Sequence, residues 1–230
     1  MQIKESQYIY PPRAENCIPQ NQITTYTELG WITQIKFNDT RLLIKYLPDN
    51  TYQLWNRHGM KLSYTPPEHL HNQIQDLKTI LNMDPTKTTL LDGGLLDTRH
   101  PAIKDTIVIW DILVKDDNHL LGTTYRERYG QIINSTTQPY YYTPPHKKHG
   151  PIGVGMKITD DILTPINYHN NDQALWEIVT TANNPYPSSS PILEGCVIKD
   201  LEGTLEMGYQ AKNNTSWMAK SRVKTNRHRF

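Results

Sequence analysis

Six short runs of this chain are rich in β-branched, aromatic and leucine residues and end in turn residues: Ile32–Ile35, Leu42–Tyr46, Tyr52–Trp55, Thr88–Leu91, Thr106–Ile112 and Val197–Ile198. Branched side chains lose rotamer freedom in a helix and pack well on a pleated surface, so these runs read as strands. Three stretches carry the helical period instead. Pro67–Asn82 repeats Leu70, Ile74, Leu77, Ile80 and Leu81 on one face, and Asp172–Ala182 and Tyr125–Ile132 predict two further helices. The mixture predicts an α+β fold. Between Tyr140 and Pro151 the chain reads as a loop rich in proline and aromatic residues.

The 230 residues are within the range of one domain, with 37% hydrophobic and 20% charged residues, so 1–230 is expected to form a single compact unit. Within it, 1–30 is a lead-in segment and 212–230 a basic terminal one. No apolar run approaches the about 20 residues that span a bilayer, and the first residues lack a basic-then-apolar signal. The expectation is a soluble, cytoplasmic, monomeric protein with no membrane partner. Cys17 and Cys196 are too few for a disulfide framework or a zinc site, and Cys196 falls in an apolar strand pattern that suits a small buried hydrophobe.

The net charge of +1 averages over an uneven distribution. From Lys212 to Arg229 the chain carries Lys212, Lys220, Arg222, Lys224, Arg227 and Arg229 and no carboxylate, which suits contact with a phosphate backbone or, more simply, a solubilising tail. His146-Lys-Lys-His149 is a second basic cluster, flanked by Pro and Gly and read as a surface loop. Lys36-Phe-Asn-Asp-Thr-Arg41 follows the first strand and sets a lysine beside an acid and an arginine. Lysine can act as a nucleophile once its amine sheds a proton, although such a hexapeptide alone is more simply an exposed loop.

Four further segments follow in order: Leu54-Trp-Asn-Arg-His-Gly59; Leu90-Leu-Asp-Gly-Gly-Leu-Leu95, running on to His100; Ile107-Val-Ile-Trp-Asp-Ile-Leu113, with Leu121 to Arg128 beyond it; and Glu194-Gly-Cys-Val-Ile-Lys199, with Trp217-Met-Ala-Lys-Ser-Arg222 after it. With Lys36 they resemble the covalent nucleotidyltransferases, specifically ATP-dependent polynucleotide ligases. The opening Tyr10-Pro-Pro-Arg-Ala-Glu15 and Gly30-Trp-Ile-Thr-Gln-Ile-Lys36 look like the start of small phage-type ligases, whose lysine motif also carries asparagine where Asn38 stands.

That resemblance implies a nucleotidyltransferase (adenylation) domain of two antiparallel sheets with flanking helices and an ATP-grasp-like groove, here without an OB-fold domain. It implies ATP and Mg2+ (or Mn2+) as cofactors, and DNA or RNA ends or nicks as partners, with DNA preferred. Lys36 would carry AMP. Gln34 would read the adenine edge beside Ile35, Trp110 would stack on the adenine or serve as a core tryptophan, and Arg41 would meet the ribose or the incoming phosphate. Glu194 would supply a carboxylate to the metal, and Lys220 and Arg222 would grip the α-phosphate. Arg57, Lys224 and Arg227 would hold the nucleic acid, whereas Arg128 has a structural role.

Two positions depart from the pattern. Asp39 stands where the family usually has glycine, and is expected to alter the turn after the lysine. Gly94 stands where a glutamate usually follows Asp-Gly and helps with metal or ribose, a part that Asp92 or Asp97 would then take. The alternative is a non-catalytic module that binds nucleic-acid ends, against which stands the retention of Lys36, Glu194 and Lys220. An mRNA-capping guanylyltransferase shares the lysine chemistry, but the opening residues favour a ligase.

Overall fold

The structure, a computed structural model, describes residues 9–97, 103–142, 151–169, 172–183, 192–208 and 213–223. Lys212, Lys224, Arg227, Arg229, the His146 to His149 cluster and most of the loop after Tyr142 lie outside them. In chain order the elements are β1 (Arg13–Cys17), α1 (Ile23–Glu28), β2 (Ile32–Phe37), β3 (Thr40–Tyr46), β4 (Tyr52–Trp55), α2 (Glu68–Ile80), β5 (Thr89–Leu96), β6 (Thr106–Lys115) and β7 (Asn118–His119). There follow α3 (Tyr125–Ile133), β8 (Gln138–Tyr142), β9 (Ile152–Lys157), β10 (Ile162–Thr164), α4 (Asp172–Asn183), β11 (Leu193–Lys199) and β12 (Asn214–Arg222).

The strands form a four-stranded sheet in the order β1-β12-β11-β2 and a larger one in the order β4-β3-β5-β6-β10-β9-β8, with β7 paired to β6. The α+β expectation holds, and each strand and helix read from the sequence is present. Pairing is not wholly antiparallel, however: β1 runs parallel to β12, and β10 parallel to β6. Both pairs join strands far apart in the chain, where no hairpin fixes the direction and a crossover is long enough to return the strand parallel. The lead-in segment and the basic terminal segment are also more than flanks, since they contribute β1 and the inner strand β12.

Helix α2 starts after Pro67, whose extended backbone and missing N–H suit the position before a helix, and buries Leu70, Ile74 and Leu77 fully. These pack with Leu42, Ile44, Leu91 and Ile109 of the larger sheet, each burial contributing about 1.5–3 kcal/mol relative to exposure. Tyr46 ties the two layers by donating its hydroxyl to Ile74 O at 2.7 Å. On the smaller sheet, Ile35, Phe37, Cys196 and Ile198 form a core with Leu175 and Val179 of α4 and Val108 of β6. Helix α3 begins with a capping box in which the Thr124 side chain accepts from Glu127 N and the Glu127 side chain accepts from Thr124 N. No helix among the described residues is long and apolar enough to cross a membrane.

Candidate active site

β2 and β3 are consecutive in the chain but belong to different sheets, so the Asn38-Asp39 link is a corner from one sheet to the other. Lys36 and Arg41, close in sequence, therefore come from different sheets to line one cavity of about 630 Å³. Alternation along each strand decides what else lines it. The small sheet presents Gln34 and Lys36, Val197 and Lys199, and Met218, Lys220 and Arg222; the larger sheet presents Arg41, Asp92, Trp110 and Asp111.

Register builds the reactive end. Lys36 of β2 and Arg222 of β12 lie on either side of Gly195 of β11, which faces both. Only glycine fits there: φ is +146°, and an added Cβ would come within 2.0 Å of Ser221 O. The β11–β2 register slips between Leu193 and Gly195, leaving Glu194 as an extra residue. A bulge of this kind re-aims a side chain, and Glu194 meets Lys36 Nζ at 2.6 Å and Arg222 Nε at 3.5 Å. Lys36 Nζ also donates to Phe37 O at 3.3 Å, and Lys220 Nζ to Ala14 O at 3.2 Å. Burial holds the Lys220 amine below its ordinary range, and the positive charges of Arg222, Lys36 and Arg13 push the same way. Two cationic side chains thus share one carboxylate with a third, Lys220, on the same cavity wall, an arrangement suited to a polyanion.

The other end is a closed polar network. Arg41 Nε donates to Asp92 Oδ1 at 2.6 Å, its Nη2 pairs with Asp92 Oδ2, and the same Nη2 donates to Pro12 O at 2.9 Å. Trp110 Nε1 donates to Asp92 Oδ2 at 3.0 Å, and the Arg41 guanidinium lies 5.1 Å from the Trp110 ring centroid. Burial raises the Asp92 carboxyl to about 6 against the opposing pull of Arg41. Trp110 is itself the extra residue of a register shift, since Asp92 faces Asp111 while Gly93 faces Ile109. Deeper in, Tyr125 Oη accepts from Lys199 Nζ at 2.8 Å and from Gln34 Nε2 at 3.0 Å, and donates to Trp110 O at 3.0 Å. Burial brings Lys199 down to about 7, although Asp111 and Asp92 pull it upward.

Neither a protein-family model nor a curated protein matches the sequence. Solved structures do match in shape. The ligase domain of LigD from M. tuberculosis aligns over 95% of this chain and 61% of its own, with a TM-score of 0.56 and 15% identity. The ATP-dependent DNA ligase of bacteriophage T7, solved as a complex with ATP, aligns over 93% of this chain and 68% of its own, with a TM-score of 0.51 and 15% identity. This chain has the fold of an ATP-dependent DNA ligase catalytic domain. It spans about three fifths of the LigD ligase domain and two thirds of the phage enzyme.

Within this ligase fold, the residues singled out in the sequence converge. Lys36, Gln34, Ile35, Arg41, Trp110, Glu194, Lys220 and Arg222 all line the cavity, and Arg57 lines it too, beside Asn56 and His58. Lys224 and Arg227 lie outside the described residues. Some expectations change in detail. The Ile35 side chain is buried in the core, so only its backbone faces the cavity. Gln34 is 2% exposed and already donates to Asn167 Oδ1 at 2.6 Å as well as to Tyr125. Arg128 is fully buried against Asp111, at 2.8 Å from Nε to Oδ1, in keeping with a structural role.

The departures also resolve differently. Asp39 is absent from the residues with positive φ, so the corner after Lys36 needs no glycine. Of the two acids near Gly94 in sequence, Asp92 lines the cavity with both oxygens accepting from Arg41 and Trp110, and Asp97 is not part of the cavity wall. The sequence reading missed Tyr125, Asn167 and Lys199 as a network around Gln34. Lys199 ends a motif already in view, but only β11 alternation aims its amine inward.

Proposed function

We propose that this chain is an ATP-dependent polynucleotide ligase that forms a lysyl-AMP intermediate and joins a 5′-phosphate to a 3′-hydroxyl, at nicks in duplex DNA. The observation that carries this reading is the Lys36–Glu194 pair at 2.6 Å, flanked by Arg222 and Lys220 in a cavity whose opposite sheet contributes Arg41. In the first step Lys36 Nζ attacks the α-phosphorus of ATP, an N–P bond forms, and the P–O bond to pyrophosphate breaks. The amine gives up a proton, and Glu194 Oε2 stands within hydrogen-bond reach to accept it. Lys220 and Arg222 stabilise charge on the α-phosphate oxygens, the term that dominates such transfers.

At the far end of the cavity Tyr125 has one hydroxyl proton, which Trp110 O can accept, leaving Gln34 Oε1 to accept from the adenine amine. Among the described residues no three His, Cys, Asp or Glu side chains converge into a metal cage. The donor set still suits Mg2+ or Mn2+, since Mg2+ beside a triphosphate needs only one or two carboxylates and completes its shell with phosphate and water. Glu194 is the residue that would hold it, and the ion would neutralise phosphate charge. AMP then passes from Lys36 to the 5′-phosphate, and the 3′-hydroxyl displaces it. Arg57, exposed at the turn after β4, is offered as a phosphate-backbone contact.

The test is incubation with α-labelled ATP and Mg2+, followed by a denaturing gel, for the wild type and Lys36→Ala. Label on the wild type that vanishes in the variant is the expected result. If no label is retained and a pre-adenylylated nick is not sealed either, a non-catalytic end-binding module replaces this reading.

A further inference from the structure

A side-chain amide can face a ligand either way, accepting through its oxygen or donating through its nitrogen. On its own, Gln34 could therefore meet a purine that carries an amine at position 6 or one that carries a carbonyl there. Its surroundings remove the second choice. Both hydrogens of Gln34 Nε2 are spent, one on Tyr125 Oη at 3.0 Å and one on Asn167 Oδ1 at 2.6 Å. Gln34 Oε1 lies 3.2 Å from Tyr125 Oη. A carbonyl oxygen has two lone pairs, so Oε1 keeps one for a ligand even when the phenol turns towards it.

Each partner is held in turn. Tyr125 Oη accepts from Lys199 Nζ at 2.8 Å and reaches Trp110 O at 3.0 Å. Its one proton goes to a carbonyl, so it presents a lone pair to Gln34 Nε2. The Tyr125 ring is fixed by stacking on Tyr129 and Trp217, with centroids 5.5 and 5.8 Å away. Asn167 is brought alongside by its neighbour Tyr168, whose backbone pairs with that of Thr33, the residue before Gln34: Tyr168 N donates to Thr33 O at 2.8 Å, and Thr33 N to Tyr168 O at 3.0 Å. Neither Tyr125 nor Asn167 lines the cavity, whereas Gln34 does. They stand behind the amide and not against the ligand.

We propose that Tyr125 and Asn167 are positioning residues that make Gln34 an acceptor alone, and so select a 6-aminopurine nucleotide against a 6-oxopurine one. This rests on the adenylylation reading above and moves the choice of base from Gln34 to the side chains that hold it. A 6-oxopurine would set its carbonyl against Gln34 Oε1 with no proton between them, and an unmade hydrogen bond in a closed site is costly. No N–H of the amide is left to turn outward.

The test measures binding of ATP and of inosine triphosphate, which carries a carbonyl at position 6, by calorimetry, alongside label transfer and thermal melting. The proteins are the wild type, Tyr125→Phe, Asn167→Leu, Asn167→Asp and Gln34→Glu/Tyr125→Phe. Tyr125→Phe keeps the stacked ring, frees one N–H of Gln34, and is expected to lower the ATP-to-inosine preference by roughly tenfold or more. Asn167→Leu, at a half-buried loop position, is expected to act in the same direction and carries the test if Tyr125→Phe fails to fold. Asn167→Asp only accepts, so the preference should stay. Glutamate at position 34 accepts without help from its neighbours, so the double variant should regain the preference that Tyr125→Phe loses.

An unchanged ratio in both Tyr125→Phe and Asn167→Leu overturns the proposal. So does a loss of preference in Asn167→Asp, which would mean that Asn167 donates to Gln34, or a double variant that discriminates no better than Tyr125→Phe, which would leave Tyr125 a packing role only. Wild type that binds both nucleotides equally and still takes up label overturns the proposal alone. ATP binding without label transfer counts against lysyl-AMP formation and leaves the ratio measurable.

Discussion

The two ends of the cavity treat charge in opposite ways. At the Lys36 end, Lys36 and Arg222 pair with Glu194, Lys220 lines the same wall, and these side chains stay partly open to solvent, with Lys36 19% and Arg222 33% exposed. At the other end, Asp111 and Arg128 are buried as a matched pair, and Asp92 is buried against Arg41 and Trp110. Buried ion pairs contribute little net stability beside well-packed apolar groups, but breaking one leaves an uncompensated charge. The matched end therefore fixes geometry, while the crowded end leaves cationic charge partly exposed in the cavity.

The largest expected effect breaks the matched end. Arg128→Met leaves Asp111 buried without its partner and should cost about 3–5 kcal/mol of unfolding free energy, read by urea denaturation. Arg128→Met/Asp111→Leu should recover much of that loss, since the cost comes from the orphaned charge. Equal destabilisation in both would mean that packing around Arg128, between the Tyr125 and Trp217 rings, outweighs its charge.

At the crowded end, Arg222→Ala and Lys220→Met should reduce label transfer by roughly a hundredfold or more while leaving unfolding free energy within about 1 kcal/mol. A large stability loss in either would erase the contrast between the two ends.

The pH dependence of stability sharpens the comparison at Lys199, a buried cation inside the matched end. Its folded value of about 7 lies below the ordinary lysine range, chiefly through burial. Above about pH 7 the unfolded chain therefore binds more protons than the folded one, and stability rises with pH up to the ordinary lysine range. Below about pH 7 both states are protonated and the full cost of the buried charge remains. Relative to Lys199→Met, the wild type should gain up to about 1.4 kcal/mol per pH unit in that window, measured by denaturation at pH 7 and pH 9.5. Parallel pH dependences would show that Lys199 stays charged.

Much of this was legible in local pattern. The periodicity of Leu70, Ile74 and Leu77 marked α2, and the β-branched runs marked six strands, because burial of one face imposes a period on the sequence. β8 and β9 were not legible: Gln138-Pro-Tyr-Tyr-Tyr142 contains a proline and Ile152-Gly-Val-Gly-Met-Lys157 two glycines, residues depleted in strands, and sheet pairing overrides that preference. β1 carries little apolar signal and forms by pairing with β12.

By itself the sequence determined which side chains gather at the cavity, since Lys36, Arg41, Trp110, Glu194, Lys220 and Arg222 stand in recognisable motifs in a recognisable order. Tertiary structure alone decided that Gly195 separates Lys36 from Arg222 and that Asp92 is spent on Arg41. The physical reason is register. Those contacts join residues far apart in the chain, and they are set by strand pairing and by bulges at Glu194 and Trp110, where one extra residue re-aims a side chain without any trace in local propensity.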